Sequence, residues 1–334
     1  MFDYPVLIGD IGGTNARFAV LPRPDADPVA FDHLRTAAYP DPSAAIRAAL
    51  AQGAAPAPRS AILAIAGRVD GPAVQLTNAN WVIAGERIGR DFGLSRCVVV
   101  NDYVPVAAGA AALDPAGEDR RILEPIGPAL APGRGSRLVL GPGTGFGAAA
   151  LVPFGEQLAI VSTEAGHTDF GPSDAEEAAL WPAIARIEGR VTVEALLSGP
   201  GLSRLYAALG GAGAEPPEIT ARGLSGEDPV AVETLRLFAK LLGRLCGDLA
   251  LTFLATGGVY IGGGIAPRIL PVLERGDFRR AFAHKPPFAD MMAAIPTCVI
   301  TIADPAFTGL SALAAKPKLF AYDGQVWSSG TAAA

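Results

Sequence analysis

Metal motifs and disulfide patterns are missing from this sequence. Its three cysteines, Cys97, Cys246 and Cys298, lie far apart, so neither a CxxC metal site nor a disulfide framework is expected, and a reducing compartment fits. Charge is sparse at 18% of residues, and 27 basic against 33 acidic side chains give a formal net charge of −6. Affinity for nucleic-acid backbones comes from clustered cations, and no Lys/Arg cluster occurs, so no nucleic-acid partner is expected. The longest apolar tract, Leu245 to Ile261, is broken by Asp248 and the Gly257-Gly258 pair. It reads as a buried helix followed by a strand, not as a membrane span. The opening residues carry an acid, Asp3, where a signal peptide has bases, and their apolar run stops at Gly9. A cytoplasmic protein without a membrane partner is therefore expected. No GxxxxGK[ST] loop occurs either, so any bound phosphate must rely on main-chain amides and metal in place of a P-loop lysine.

What the chain does have is length, apolar residues and glycine: 334 residues, 50% hydrophobic, with 40 glycines. That is ample for packed cores and long for one, which predicts two domains. The stretch 7–20, Leu-Ile-Gly-Asp-Ile-Gly-Gly-Thr-Asn-Ala-Arg-Phe-Ala-Val, reads as two antiparallel strands joined by a glycine-bearing turn. Converging amides in that turn suit an anion, and Asp10 suits a cation. A nucleotide phosphate with Mg²⁺ and a plain glycine hairpin fit the stretch equally well.

Further along, strands are predicted at 60–66, 96–100, 137–140, 146–152, 258–261 and 298–302. Helices are predicted at 43–51, 84–92, 105–113, 175–187 (capped by Asp174 and kinked or interrupted at Pro182), 192–197, 201–209, 229–255 and 308–315. Strands alternating with helices imply an α/β fold with parallel inner strands. A composition change near 113 marks a domain boundary, and 322–334 reads as a frayed tail. Aligning Thr144 with Thr14 superposes Gly-Thr on Gly-Thr between apolar strands, a short internal repeat. Gly143-x-Gly145-x-x-Ala148 also satisfies the dinucleotide fingerprint, but Pro153 and Gly155 leave no room for the helix that fingerprint requires.

Three glycine-rich turns, 9–15, 141–145 and 262–264, each follow a predicted strand. Asn101-Asp102 ends another, where open α/β sheets place ligands. Asp102 there either accepts a substrate hydroxyl proton, with Asn101 donating to a neighbouring oxygen, or caps the next helix. Glu164, His167 and Asp169 lie in a polar loop bounded by Gly171-Pro172. They fit a metal site, a binding site for vicinal hydroxyls, or an ordinary surface loop.

Together these residues resemble the proteobacterial type of glucokinase, in the actin, Hsp70 and hexokinase superfamily. The resemblance rests on Gly-Asp-Ile-Gly-Gly-Thr-Asn-Ala-Arg (9–17), Thr-Asn-Ala-Asn-Trp (77–81), Asn101-Asp102 and Gly-Pro-Gly-Thr-Gly-Phe-Gly (141–147). It continues through Glu-Ala-Gly-His-Thr-Asp-Phe (164–170), Leu-Ser-Gly-Pro-Gly-Leu (197–202) and 257–268, and spans about residues 7–315. It implies an actin-like (ribonuclease H-like) fold of duplicated α/β domains, 1–112 with 303–334 and 113–302, with a cleft between them that closes to expel water. It implies ATP held by Gly9, Asp10, Ile11, Gly12, Gly13, Thr14, Gly143, Thr144, Gly145, Gly262, Gly263 and Gly264, with Asp10 meeting Mg²⁺ through water. Glucose would be held by Asn101, Asp102, Glu164, His167 and Glu194, with Asp102 as the base for the 6-hydroxyl. Glu194 enters only through this resemblance. A homodimer is also implied.

Two departures matter. The loop reads Ser-Thr-Glu-Ala-Gly-His (162–167), with Ala165 where glycine is more usual, a change that could shift sugar preference. The Cys-rich zinc motif of the ROK group and an appended helix-turn-helix region are both missing, which argues against a repressor. A kinase for another hexose or amino sugar and a non-catalytic sugar- or ATP-binding regulator stay open as alternatives.

Overall fold

The computed structural model describes all residues except 25, 54, 77, 78, 114–118, 120, 121, 131–134, 303 and 331–334. Thr77 and Asn78 of the 77–81 motif, and most of the 113–121 boundary region, thus lie outside the described residues. The chain divides into two compact units: Met1–Leu113 with Pro153–Ser162 and Ala303–Ala334, and Asp114–Val152 with Thr163–Ile302. The sequence division had set 153–162 with the middle of the chain; here that segment groups with the first unit.

In the first unit, Val6–Ile11 is the central strand. Asn15–Leu21 pairs with it antiparallel on one side and Ser60–Ile65 parallel on the other, and Arg96–Asn101 continues the parallel ladder. All six residues of Ser60–Ile65 are buried, as expected of a strand covered on both faces, and its Ile and Ala side chains suit that place. Helices Tyr103–Ala112 and Pro305–Ala315 cross through glycines. A Cβ on Gly109 would lie 2.8 Å from the carbonyl oxygen of Pro305, and one on Gly309 would collide with the carbonyl of Pro105.

The expectation of a frayed 322–334 is corrected over 322–328, and its last four positions, 331–334, lie outside the described residues. Phe320–Tyr322 and Gln325–Ser328 are strands, the latter antiparallel to Arg96–Asn101 at the sheet edge. Trp327 anchors it by packing where Gly89 leaves no room for a Cβ. A strand of four residues is too short to show a period in sequence, so the tertiary contact decides it.

The second unit repeats the arrangement. Arg137–Pro142 pairs antiparallel with the strand starting at Phe146 and parallel with Val259–Ile261, which pairs parallel with Thr297–Ile300. The Gly-Thr coincidence at Thr14 and Thr144 therefore reflects the same hairpin-plus-parallel-strand unit built twice. Because the chain from Phe146 runs on as a strand to Phe154, no helix opens there, and the dinucleotide reading is excluded. The helix Pro229–Thr252, capped by Asp228, buries its apolar stripe in this unit's core. The break expected at Ser198-Gly199-Pro200-Gly201 falls at Leu197–Ser198, and Gly199 and Pro200 already open the helix Gly199–Ala208. Ser198 accepts from Gly201 N–H, and Pro200 sits where a helix start tolerates proline.

Candidate active site

In the first unit, register places the two aspartates. Asp10 pairs with Ala64 and Ala64 with Val100, so the three form a row across adjacent parallel strands. Asp102 stands two residues past Val100. Asp10 and Asp102 thus share the carboxyl edge of one sheet, two strand spacings (about 10 Å) apart across it, with Asp102 two residues further along. Ligands of open α/β sheets bind at that edge.

The capping alternative for Asp102 is not borne out by its side chain. Asp102 occupies the N-cap position of Tyr103–Ala112, yet its side chain makes no capping bond. Asn101 does that work: its Oδ1 accepts from Tyr103 N–H at 2.9 Å and its Nδ2 donates to the Gly67 carbonyl at 3.0 Å. One Nδ2 proton of Asn101 remains for another acceptor.

The turn 9–15 holds itself together with some of the groups expected to face a phosphate. Gly12 N–H donates to the Asn15 carbonyl at 2.9 Å, and Thr36 braces the turn by donating from Oγ1 to the Gly12 carbonyl and from N–H to the Thr14 carbonyl. Gly9 is required by packing, since a Cβ there would lie 2.7 Å from Leu63 Cδ2 and 2.9 Å from Phe18 Cδ1. The Ile11 side chain is buried in the core. Thr14 and Asn15 are exposed.

Asp10 faces Arg17 across the hairpin, and the Arg17 guanidinium bridges the carboxylates of Asp10 and Asp304. Sequence reading missed Arg17, although hairpin register alone sets it opposite Asp10. No sequence signal points to Asp304, which comes from the far end of the chain.

In the second unit, the turns 141–145 and 262–264 end neighbouring parallel strands and press together. A Cβ on Gly141 would strike Gly262, and one on Gly263, whose φ is +78°, would strike the Pro142 carbonyl. Gly264 is exposed with open space beside its Cα, and Thr144 is exposed. Gly143 N–H is taken up by the Gly145 carbonyl at 2.8 Å, while the Gly143 carbonyl accepts from Gly199 N–H at 2.8 Å.

Glu194 leans on the same turn. Its Oε2 accepts from Phe146 N–H at 2.8 Å, and a Cβ on Gly145 would come within 2.5 Å of that oxygen. Thr192 caps the short helix Val193–Leu196 that carries it. Nothing local in the sequence marks Glu194; only the fold brings it to the turn.

Glu164 and His167 face one another, with His167 Nε2 3.8 Å from Glu164 Oε2, both more than half exposed (51% and 63%). The turn Ala165–His167 sets that spacing, with His167 N–H donating to the Glu164 carbonyl at 3.0 Å. Ala165 between them is buried among core residues, so its methyl turns away from the exposed pair. Asp169 is occupied by Arg190, whose Nε donates to Asp169 Oδ1 at 2.7 Å and whose Nη2 donates to the His167 carbonyl at 3.0 Å. Among the described residues no group of three or more His, Cys, Asp or Glu side chains could hold a metal. That sets aside the three-ligand reading of Glu164, His167 and Asp169.

The profile of the family described as Glucokinase matches residues 7–317. A curated glucokinase from Brucella suis biovar 1 is 45% identical over 336 residues, covering 98% of this chain and 96% of that protein. Among solved structures, a glucokinase from an Antarctic psychrotroph is 31% identical with a TM-score of 0.81, covering 93% of this chain and 98% of the other. A glucokinase from Balamuthia mandrillaris, determined in complex with glucose, has a TM-score of 0.76 at 20% identity over 93% of both chains, a likeness of fold alone.

Proposed function

The chain belongs to the glucokinase family, and from that premise we propose that it transfers the γ-phosphoryl group of ATP to the 6-hydroxyl of D-glucose. The fold, an α/β architecture of the actin-like ATPase type, supports the reading. The single observation that carries the mechanism is the placement of Asp102: at the carboxyl edge of the sheet that also carries Asp10, and without a capping bond to its own helix.

In the proposed reaction the sugar 6-oxygen attacks the γ-phosphorus. The bond from γ-phosphorus to the β–γ bridging oxygen breaks, ADP leaves with that electron pair, and the hydroxyl proton passes to Asp102. General-base assistance of this kind contributes about 10²- to 10⁴-fold in rate, and the remainder comes from alignment and charge neutralisation. Glu164, His167, Glu194 and the remaining amide proton of Asn101 match a set of vicinal hydroxyls as acceptors and donors. The exposed ends of turns 9–15, 141–145 and 262–264 are assigned to ATP. Asp10 fits a hydrated Mg²⁺: Mg²⁺ retains waters and takes one or two carboxylates plus the nucleotide's phosphates, so a single hard oxygen donor suffices. Bound there, the ion would neutralise charge on the transferred phosphoryl group.

Glycolysis, a cytoplasmic location and a homodimer belong to this proposal. So does a functional division into domains 1–112 with 303–334 and 113–302. Among the described residues no helix is long and apolar enough to cross a membrane. A shift toward another hexose loses its main support, because the Ala165 methyl is turned into the core. A coupled assay for ADP formation, with and without glucose and over a panel of hexoses, tests the reading. ADP release that depends on glucose and favours it in kcat/KM is expected; binding of glucose and ATP without turnover would leave a regulator.

A further inference from the structure

We propose that Asp304 is a positioning residue that acts through Arg17 to hold the Asp10 carboxylate ready for the divalent cation of the bound nucleotide. This rests on the reading of Asp10 given above.

The chain of contacts is continuous. Hairpin register sets Arg17 directly opposite Asp10. Its Nη2 donates to Asp10 Oδ2 and its Nη1 donates to Asp304 Oδ1. The guanidinium also lies over the Phe307 ring, 5.7 Å from its centroid. Asp304 immediately precedes the helix Pro305–Ala315, yet like Asp102 it makes no side-chain capping bond, so helix formation does not explain it.

Charge supplies the reason for a second acid. Arg17 alone would neutralise Asp10 and weaken its hold on a cation. One guanidinium between two carboxylates leaves the group net negative. With Asp304 and the Phe307 ring fixing the fork, Arg17 takes only one Asp10 oxygen and leaves Oδ1 for the ion's hydration shell. A planar fork with two donor edges suits this bridge. Side-chain exposures of 19% for Asp10, 25% for Arg17 and 42% for Asp304 show a partly desolvated pair with the third member at the rim. Solvent screening is therefore weakest where Asp10 and Arg17 meet.

The test uses Asp304→Asn and Asp304→Glu in the full-length enzyme. Titration with Mn²⁺ in the presence of ADP, read by electron paramagnetic resonance, reports cation affinity without turnover. Asp304→Asn is expected to weaken Mn²⁺ binding about five- to tenfold, to raise the Mg²⁺ concentration for half-maximal rate in step, and to leave the glucose KM unchanged; Asp304→Glu recovers most of the affinity. Unaltered Mn²⁺ affinity in a folded Asp304→Asn protein would overturn the proposal. So would an equal loss from Asp304→Asn in an Asp10→Asn background, because an effect routed through Asp10 must vanish there. Failure of the kinase reading itself shows separately, as wild-type protein that forms no ADP with glucose.

Discussion

At the scale of single residues, the division of labour at 101–102 decides most. Adjacent Asn and Asp were legible as a strand end, but which one serves the helix was not. Both can accept from a helix N-terminal N–H, and in the folded chain Asn101 takes that role. Glu194 marks the opposite limit, since its position depends on a contact with Phe146 that no local pattern encodes. The cysteines are simpler. All three are buried, and burial pushes the Cys97 and Cys298 thiols up to about 12 and Cys246 higher still. Because the thiolate is the reactive form, native protein at pH 8 should show almost no reaction with a thiol-specific disulfide reagent. After denaturation all three cysteines should react; rapid titration of any thiol in the folded protein contradicts this.

Among elements, the loop 164–170 and the two crossing helices carry the expectations. Arg190 ties the loop by its bonds to Asp169 and to the His167 carbonyl. Both partners are surface groups, so the ion pair adds at most about 1 kcal/mol to stability. The effect belongs in function: Arg190→Ala should raise the glucose KM several-fold with kcat and the melting temperature nearly unchanged, as steady-state kinetics and calorimetry would show. Gly309→Ala behaves oppositely. Its methyl meets the Pro105 backbone, and overpacking of this kind costs about 1–3 kcal/mol. Its melting temperature should fall by several degrees, whereas a helix glycine with room beside it would gain stability on the same change. The apolar composition of both helices was readable, but that they cross at glycines joins positions some 200 residues apart and was not.

Over the whole molecule, hairpins and parallel strands were legible because β-branched runs and glycine turns are local signals, and the duplicated arrangement confirms the weak Gly-Thr repeat. Long-range ion pairs were invisible. Lys240 joins Asp174 and Glu176, and with Arg244 it holds Glu177, which is fully buried. Capping bonds from the Glu177 backbone lower the Asp174 carboxyl, and Lys240 lowers that of Glu176. A depressed folded-state pKa adds stability above the unfolded value, near 4, and loses it as pH falls through the folded value. Chemical denaturation should thus give a flat stability from about pH 6 to 8 and a decline below about pH 4; stability that rises on acidification would contradict the pairing. Everything proposed for function finally converges on one acid at the sheet's carboxyl edge. The most direct test is Asp102→Asn, with kcat measured by coupled ADP release and glucose affinity by calorimetry. A fall in kcat of about 10²- to 10⁴-fold with glucose affinity nearly intact is the predicted result, and an Asp102→Asn enzyme that keeps most of its turnover would contradict the account.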